Sequence, residues 1–388
     1  MKTKKRFIFS ILGIMLFSAF IISGAYYFLA TADERNFEKR VAAEKKSIAA
    51  YNNIINSFAA SGDAKYHDQY AGAYLDEKGN LVVLVAPAGG YGFDDGVSSI
   101  LALAGLTDAK DIIFQEAEFT YAFLENLMGG LCDLFVKNHS DPDSIWSHVT
   151  ELLLLDEKNH IAVKLSEPDE EKAKRFLAET GNPEAIAFTH AQKPGKSEER
   201  EAYDYHAGMR VNTGSIGFRA RIEDVTGFVT AGHITSAGAP VFQAFVIGTC
   251  VEAIADSTLD AAFVRAGDVC IMSNRTYKGH VIAGINTAPV SGATVFKLGR
   301  ATGLTRGRIT STNAAYLYTL FNESDTIIRT NIITADYLSK SGDSGGIVFD
   351  SQNLLLGIHL AGPPGGHAGN RAVEKIATIQ DVLKVSFY

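Results

Sequence analysis

Residues 339–350 read SKSGDSGGIVFD, a serine set between an aspartate and two glycines at the entrance of an apolar run. A short glycine-rich turn between hydrophobic stretches is by itself only a hairpin signal. What surrounds it decides the reading. From residue 206 onward the chain is a series of short β-branched and aromatic runs broken by Gly, Asn, Ser or Thr: SIGFRARI, GFVTAG, PVFQAFVIGTCVEAI, LDAAFVRA, TVFKLGRATG, GRITST, TIIRTNIIT, GGIVF and LLLGIHLAG. Many short strands with regular turn signals predict an all-β barrel or sandwich. Only the final KIATIQDVLKVSFY has helical spacing, with Ile376, Ile379, Val382 and Leu383 on one side.

Three segments of this β-rich half carry groups able to act together. GFVTAGHIT offers His233 just after an apolar strand, STLDAAFVRA offers Asp260 at a strand entrance, and GDSGG offers Ser344. Nucleophilic catalysis by serine needs a general base within hydrogen-bond reach and a carboxylate that fixes the base's tautomer. Taken singly, TAGH reads as a structural histidine and an Asp before AAFV as a turn or cap residue. All three in the order His, Asp, Ser form a specific signature.

On these motifs, and on KLGRATGLTRGRIT at 297–310, the segment from about residue 207 to the C-terminus resembles the chymotrypsin-like serine endopeptidases, in particular the bacterial branch of α-lytic protease and the streptogrisins. The resemblance implies a mainly β fold, a double six-stranded β-barrel with a C-terminal helix, preceded by a small α/β pro-domain. It implies His233 as general base, Asp260 as its orienting carboxylate and Ser344 as nucleophile. The N–H groups of Gly342 and Ser344 would form the oxyanion hole, and Asp343 would point inward to shape the loop. It further implies polypeptide substrates and needs neither metal nor cofactor. Ser339, five residues before Ser344, and His359, where glutamate-selective relatives carry a pocket histidine, would line a primary pocket suited to an acidic side chain, because both donate hydrogen bonds to a carboxylate. The plainer reading of His359 is a strand residue facing elsewhere, and His367 in GPPGGHAGN is read as an exposed loop residue. The family's cysteines after the histidine and before the serine loop are absent: Ile234-Thr235-Ser236 follow His233, and Lys340-Ser341 precede Gly342. Rigidity of the serine loop must therefore come from packing. A catalytically silent surface-binding protein of the same fold, or an esterase, are the alternative functions.

The first half is organised differently. MKTKKR followed by the apolar run FIFSILGIMLFSAFIISGAYYFLATA reads as a signal peptide ending near Ala30-Thr31-Ala32 or a retained membrane anchor, over residues 1–32, with the rest of the chain outside the cell. Residues 33–60 have the spacing of a solvated helical linker. Residues 61–190 read as an α/β unit whose stretch YAGAYLDEKGNLVVLVAP predicts two strands around Lys78-Gly79-Asn80. This stretch is similar to the strand pair in the pro-regions of the same proteases, which implies a folding assistant and inhibitor removed on maturation; the plainer reading of the unit is an ordinary extra domain that is kept. Leu124, Leu127, Leu131 and Leu134 predict a helix, and Ile145, Val149, Leu152 and Leu153 a second one across SIWSHVTELLLLDEK. Residues 191–205, AQKPGKSEEREAYDY, are polar and contain Pro-Gly, an exposed linker suited to proteolytic nicking before a catalytic domain at 206–388.

Composition excludes other classes. The formal net charge of -8, without a basic stripe beyond the N-terminus, gives no field for nucleic acid. The three cysteines, Cys132, Cys250 and Cys270, have no CxxC spacing, so a zinc site is not indicated; Cys250 and Cys270 are the one possible pair in the second half.

Overall fold

The computed structural model describes residues 36–60, 65–106, 112–166, 169–181, 183–190, 205–243, 246–267, 270, 272–319, 326–363 and 369–388. The expected signal or anchor, the linker apart from Tyr205, and His367 lie outside them.

The N-terminal half begins with helix α1 (36–60). Strands β1 (Tyr70–Leu75) and β2 (Leu81–Val85) follow, then α2 (Phe93–Leu103), β3 (Ile112–Glu116) and α3 (Tyr121–Asn138). A second set comprises β4 (Val149–Leu155), β5 (His160–Leu165), α4 (Glu170–Thr180) and β6 (Ile186–His190). Both sets have one topology: an antiparallel hairpin, a helix, and a third strand parallel to the second. The expected hairpin forms around Asp76, whose carboxylate accepts from the Lys78 and Asn80 N–H groups at 2.8 Å each. The leucine-spaced helix also forms, as α3, N-capped by Thr120.

The other helix expected in this half is a strand. Ile145–His148 make a single 3-10 turn, and Val149 to Leu155 are β4. Four consecutive leucines satisfy a helical face and a strand buried on both sides equally, and such a short apolar run is not decided by periodicity. Burial decides it here: Leu153 enters a core shared with the second half, whereas Leu152 and Leu154 pack with Phe135, Trp146 and Phe176.

Helix α1 is likewise more than a solvated linker. Its Glu44, fully buried, accepts from the Thr294 hydroxyl at 2.8 Å and pairs with Arg40 at 2.8 Å. The Arg40 guanidinium donates to the carbonyls of Asp76 (2.7 Å) and Gly292 (2.9 Å), tying the β1–β2 hairpin to the second half of the chain. Ile48, Ile54 and Phe58 share one core with β1, β2 and second-half residues such as Val295, Ile333 and Val348.

The second half starts with a short ribbon, β7 (Arg210–Val211) and β8 (Gly214–Ser215). Its first barrel consists of β9 (Phe218–Ile222), β10 (Val225–Thr230), β11 (Pro240–Phe242), β12 (Val246–Ala255) and β13 (Asp260–Ala266), hydrogen-bonded in the order β11-β12-β13-β10-β9. After the short β14 (Gly284–Ile285) come β15 (Thr294–Gly299), β16 (Gly303–Thr319), β17 (Thr326–Ala335), β18 (Ile347–Asp350), β19 (Leu354–Ala361) and β20 (Arg371–Lys375). These run β15-β18-β19-β20-β17-β16 and close through β15–β16, a six-stranded barrel. Helix α5 (Ile376–Leu383) follows, and its Ile376, Ile379 and Leu383 pack with Phe218 and Phe263 of the first barrel and Ile358 of the second. The architecture is mainly β, as expected, with a C-terminal helix, behind an α/β unit; among the described residues the first barrel has five strands where six were expected, and the second has six.

The N-terminal half extends the second barrel's sheet. Strand β4 pairs antiparallel with β16, Leu153 opposite Ala314 and Glu151 opposite Tyr316. The Ser311 hydroxyl donates to the Leu154 carbonyl at 2.7 Å across the same seam. All three cysteines are free and buried.

Candidate active site

His233 sits in a one-turn 3-10 segment, Gly232–Ile234, where β10 leaves the first barrel. The preceding glycine is required by space: a Cβ at Gly232 would lie 1.8 Å from the Ile254 carbonyl oxygen. Asp260 is the first residue of β13, one strand away, and is fully buried. Its Oδ1 accepts from the His233 backbone N–H at 3.0 Å and its Oδ2 from His233 Nδ1 at 2.6 Å. The pairing fixes the ring and puts the neutral imidazole's proton on Nδ1, leaving Nε2 as the basic nitrogen. Burial alone would push the Asp260 carboxyl upward, but the His233 contact and the hydrogen bonds from His233 and Tyr318 outweigh it and hold the group below the usual carboxylate range.

Ser344 lies between the barrels, in the loop before β18, and is nearly buried. Its hydroxyl donates to the Leu360 carbonyl at 3.0 Å. Among the described residues the Ser344 hydroxyl is thus bonded to β19 and not to His233.

The loop has the shape its glycines predict. Gly342 adopts φ +96°, open to glycine, and a Cβ there would meet the Arg300 guanidinium at 2.9 Å. Among the described residues, the N–H groups of Gly342 and Ser344 have no backbone acceptor, whereas those of Asp343, Gly345 and Gly346 do. Donors kept out of the backbone network in this way are able to hold negative charge on a bound oxygen when they point to one place.

Packing and hydrogen bonds brace this loop. Asp343 turns inward and accepts from the N–H groups of Ala301 (2.9 Å), Thr302 (3.1 Å) and Lys340 (3.0 Å), from the Thr302 hydroxyl (2.6 Å) and from Lys297 Nζ (2.8 Å). Both side chains of the Lys297–Asp343 pair are completely buried. Burial pushes Asp343 up, but the Lys297 charge and these hydrogen bonds bring it below the ordinary range, so the pair is ionised. From the β7–β8 ribbon, the Ser215 hydroxyl donates to the Gly342 carbonyl at 2.7 Å and its N–H to the Ser344 carbonyl at 2.8 Å. Strand β19 closes the other side, Gly345 N–H to the His359 carbonyl at 2.7 Å and His359 N–H to the Gly346 carbonyl at 2.8 Å.

His359 and Ser339 are both buried on that side. The His359 Nδ1 is 3.0 Å from the Tyr337 hydroxyl, and burial, reinforced by Lys297, lowers the imidazole to about 3. Ser339 Oγ lies 2.7 Å from where a Cβ on Gly362 would be, and the Arg371 side chain lines the same spot at 3.0 Å. Arg371 is fully buried.

Sequence reading missed five residues here, Lys297 beside Asp343 among them. Tyr318 donates to Asp260 Oδ2, and the Asp260 N–H donates to Glu374 Oε2 at 3.2 Å. Glu374 is held by the buried Arg329 guanidinium through bonds of 2.7 and 2.8 Å. Arg371 is the fifth. For Arg329 and Lys297 the available signal was a lone charge inside an apolar strand run, which demands a buried partner.

Residues 35–117 match the family model of the Pro-like N-terminal domain. No curated protein matches the chain. Among solved structures, Cellulomonas bogoriensis chymotrypsin is 24% identical over 48% of this chain and 99% of its own, with a TM-score of 0.41. Thermobifida fusca protease A is 23% identical over 47% of this chain and 96% of its own, also at 0.41. A glutamic acid specific serine protease that utilizes a novel histidine triad in substrate binding is 23% identical, covering 47% of this chain and 99% of its own, at 0.40.

Proposed function

We propose that the chain is a serine endopeptidase made as a precursor, with residues 33–190 as its pro-domain and 206–388 as its catalytic domain. The observation that carries this reading is the junction of the two barrels, where a buried Asp260 holds His233 at 2.6 Å and the glycine loop of Ser344 packs against Thr230 and Ala231, just before that histidine. Ser344 Oγ attacks the peptide carbonyl as His233 Nε2 takes its proton. The tetrahedral oxyanion is held by the N–H groups of Gly342 and Ser344, and the leaving amine takes the proton back from His233. Water, activated by the same imidazole, then hydrolyses the acyl-enzyme. Among the described residues no helix is long and apolar enough to cross a membrane; residues 1–32 are proposed to direct secretion or to anchor the chain with its catalytic domain outside.

An acidic residue before the scissile bond fits this site best. His359 Nδ1 and the Tyr337 hydroxyl are hydrogen-bonded at 3.0 Å; with the hydroxyl as donor, the imidazole proton would reside on Nε2, a donor on a ring that stays neutral at physiological pH. Ser339 adds a hydroxyl, and Arg371 beside Gly362 adds a buried positive charge. The pro-domain reading is supported by the continuous core and the β4–β16 seam: an all-β fold rich in non-local contacts folds slowly, and a docked template lowers that barrier.

The test is intact mass of the full chain over time, wild type beside Ser344→Ala. Cleavage of the wild type alone, within 191–205 and after Glu198, Glu199 or Glu201, is the expected result. A wild type that stays whole, or a Ser344→Ala chain cut at the same rate, would reject self-maturation.

A further inference from the structure

Asp260 Oδ2 accepts two donors. One is His233 Nδ1; the other is the phenol of Tyr318, near the end of β16. The Tyr318 ring also packs edge-on against the His233 imidazole, with centroids 6.3 Å apart and planes at 64°. Tyr318 therefore touches both members of the pair. The strand that carries it is fixed from two sides: β17 pairs with it through Ile327 opposite Tyr318, and β4 of the N-terminal half pairs with it up to Tyr316.

We propose that Tyr318 is a positioning residue for the reaction, setting both the orientation of the Asp260 carboxylate and the proton affinity of His233. The inference rests on the peptidase reading above. A carboxylate oxygen shared between an imidazole and a phenol pulls less strongly on the imidazole proton than one bonded to the imidazole alone. Burial and the neighbouring Asp260 charge raise the Tyr318 hydroxyl well above its usual range, so it stays protonated and a donor wherever the enzyme works. Among the described residues the other titratable and charged groups facing the pair are Arg329 from β17, Glu374 from β20 and His359 from β19. Arg329 and Glu374 are paired with each other, and His359 is neutral above about pH 3. Tyr318 is thus the neighbour whose removal changes hydrogen bonding to Asp260 without adding or removing a charge.

The experiment follows the rate of Ser344 modification by a small fluorophosphonate against pH, which needs the neutral His233 but no peptide substrate. In Tyr318→Phe the acid limb of that profile moves to higher pH by roughly one unit, and the plateau rate falls about tenfold. Incorporation of 3-fluorotyrosine at position 318 keeps the ring and strengthens the donor, so it moves the limb to lower pH and covers the case in which the phenylalanine variant fails to fold. Wild type that labels while both altered chains keep its limb overturns the role of Tyr318, and a fall in melting temperature with an unmoved limb does the same. Wild type that does not label at any pH overturns the peptidase reading and this inference with it.

Discussion

Asp260→Asn lowers kcat for peptide hydrolysis by about 10⁴-fold while leaving the chain folded. The carboxylate receives His233 through its backbone N–H and through Nδ1. An amide in its place presents an NH₂ group to one of these donors, which turns the imidazole or forces the proton onto Nε2, the nitrogen that must act as base. In serine proteases with this geometry the cost is about 10⁴ in kcat. Steady-state hydrolysis of a peptide with glutamate before the scissile bond, beside circular dichroism of the same preparation, checks it. Loss of less than tenfold would mean that Asp260 does not orient the base.

Lys297→Met destabilises the chain by about 3–5 kcal/mol near neutral pH, the range found when one partner of a buried ion pair is removed. Asp343 would keep its hydrogen-bond donors but lose the only cation touching it among the described residues. The pH dependence has a defined sign. In the wild type the folded-state pKa of Asp343 lies below the unfolded value, so its contribution is present above the unfolded pKa and lost as pH falls through the folded one. In Lys297→Met, burial is opposed by the hydrogen bonds alone, so the folded-state pKa rises relative to the wild type. The variant then loses less stability than the wild type as pH falls, and its deficit shrinks below about pH 5. Urea midpoints measured between pH 4 and 8 show this directly. An unchanged midpoint at pH 7 would mean that the pair is not ionised. Because Asp343 braces the loop that carries the Gly342 and Ser344 N–H groups, activity falls as well, and one lost oxyanion donor alone is worth about 2.7–4 kcal/mol.

The contrast between these residues shows what the sequence discloses. His233, Asp260 and Ser344 were legible because each lies in a local pattern, a strand end followed by a small-residue turn, and their order along the chain is specific. The strands around them were legible from alternating and β-branched runs, and α5 from its spacing. The β4 strand was not, since Leu152 to Leu155 fit either element until the partner β16 is known. The supporting network was half visible. Lys297 in TVFKLG and Arg329 in TIIRTNIIT are lone charges in apolar runs, which announces a buried partner but not its identity; Asp343 lies 46 residues away and Glu374 45. Tyr318 gave no signal at all, because an aromatic residue in a β-run is ordinary core material. Helix α1 read as solvated because its buried Glu44 and Arg40 look, in sequence, like an exposed i,i+4 pair. Only the docking of the helix onto Thr294 and Gly292 shows otherwise.

The central claim is that Ser344 is an activated nucleophile, and a fluorophosphonate tests it most directly. The full chain, before and after cleavage within 191–204, is treated with the reagent, and the adduct is located by peptide mass. One adduct per chain on Ser344, absent from Ser344→Ala and strongly slowed in His233→Ala, is the predicted result. A folded, cleaved wild type that takes up no label, or takes it up elsewhere, would contradict the account and leave the two barrels as a scaffold without this chemistry.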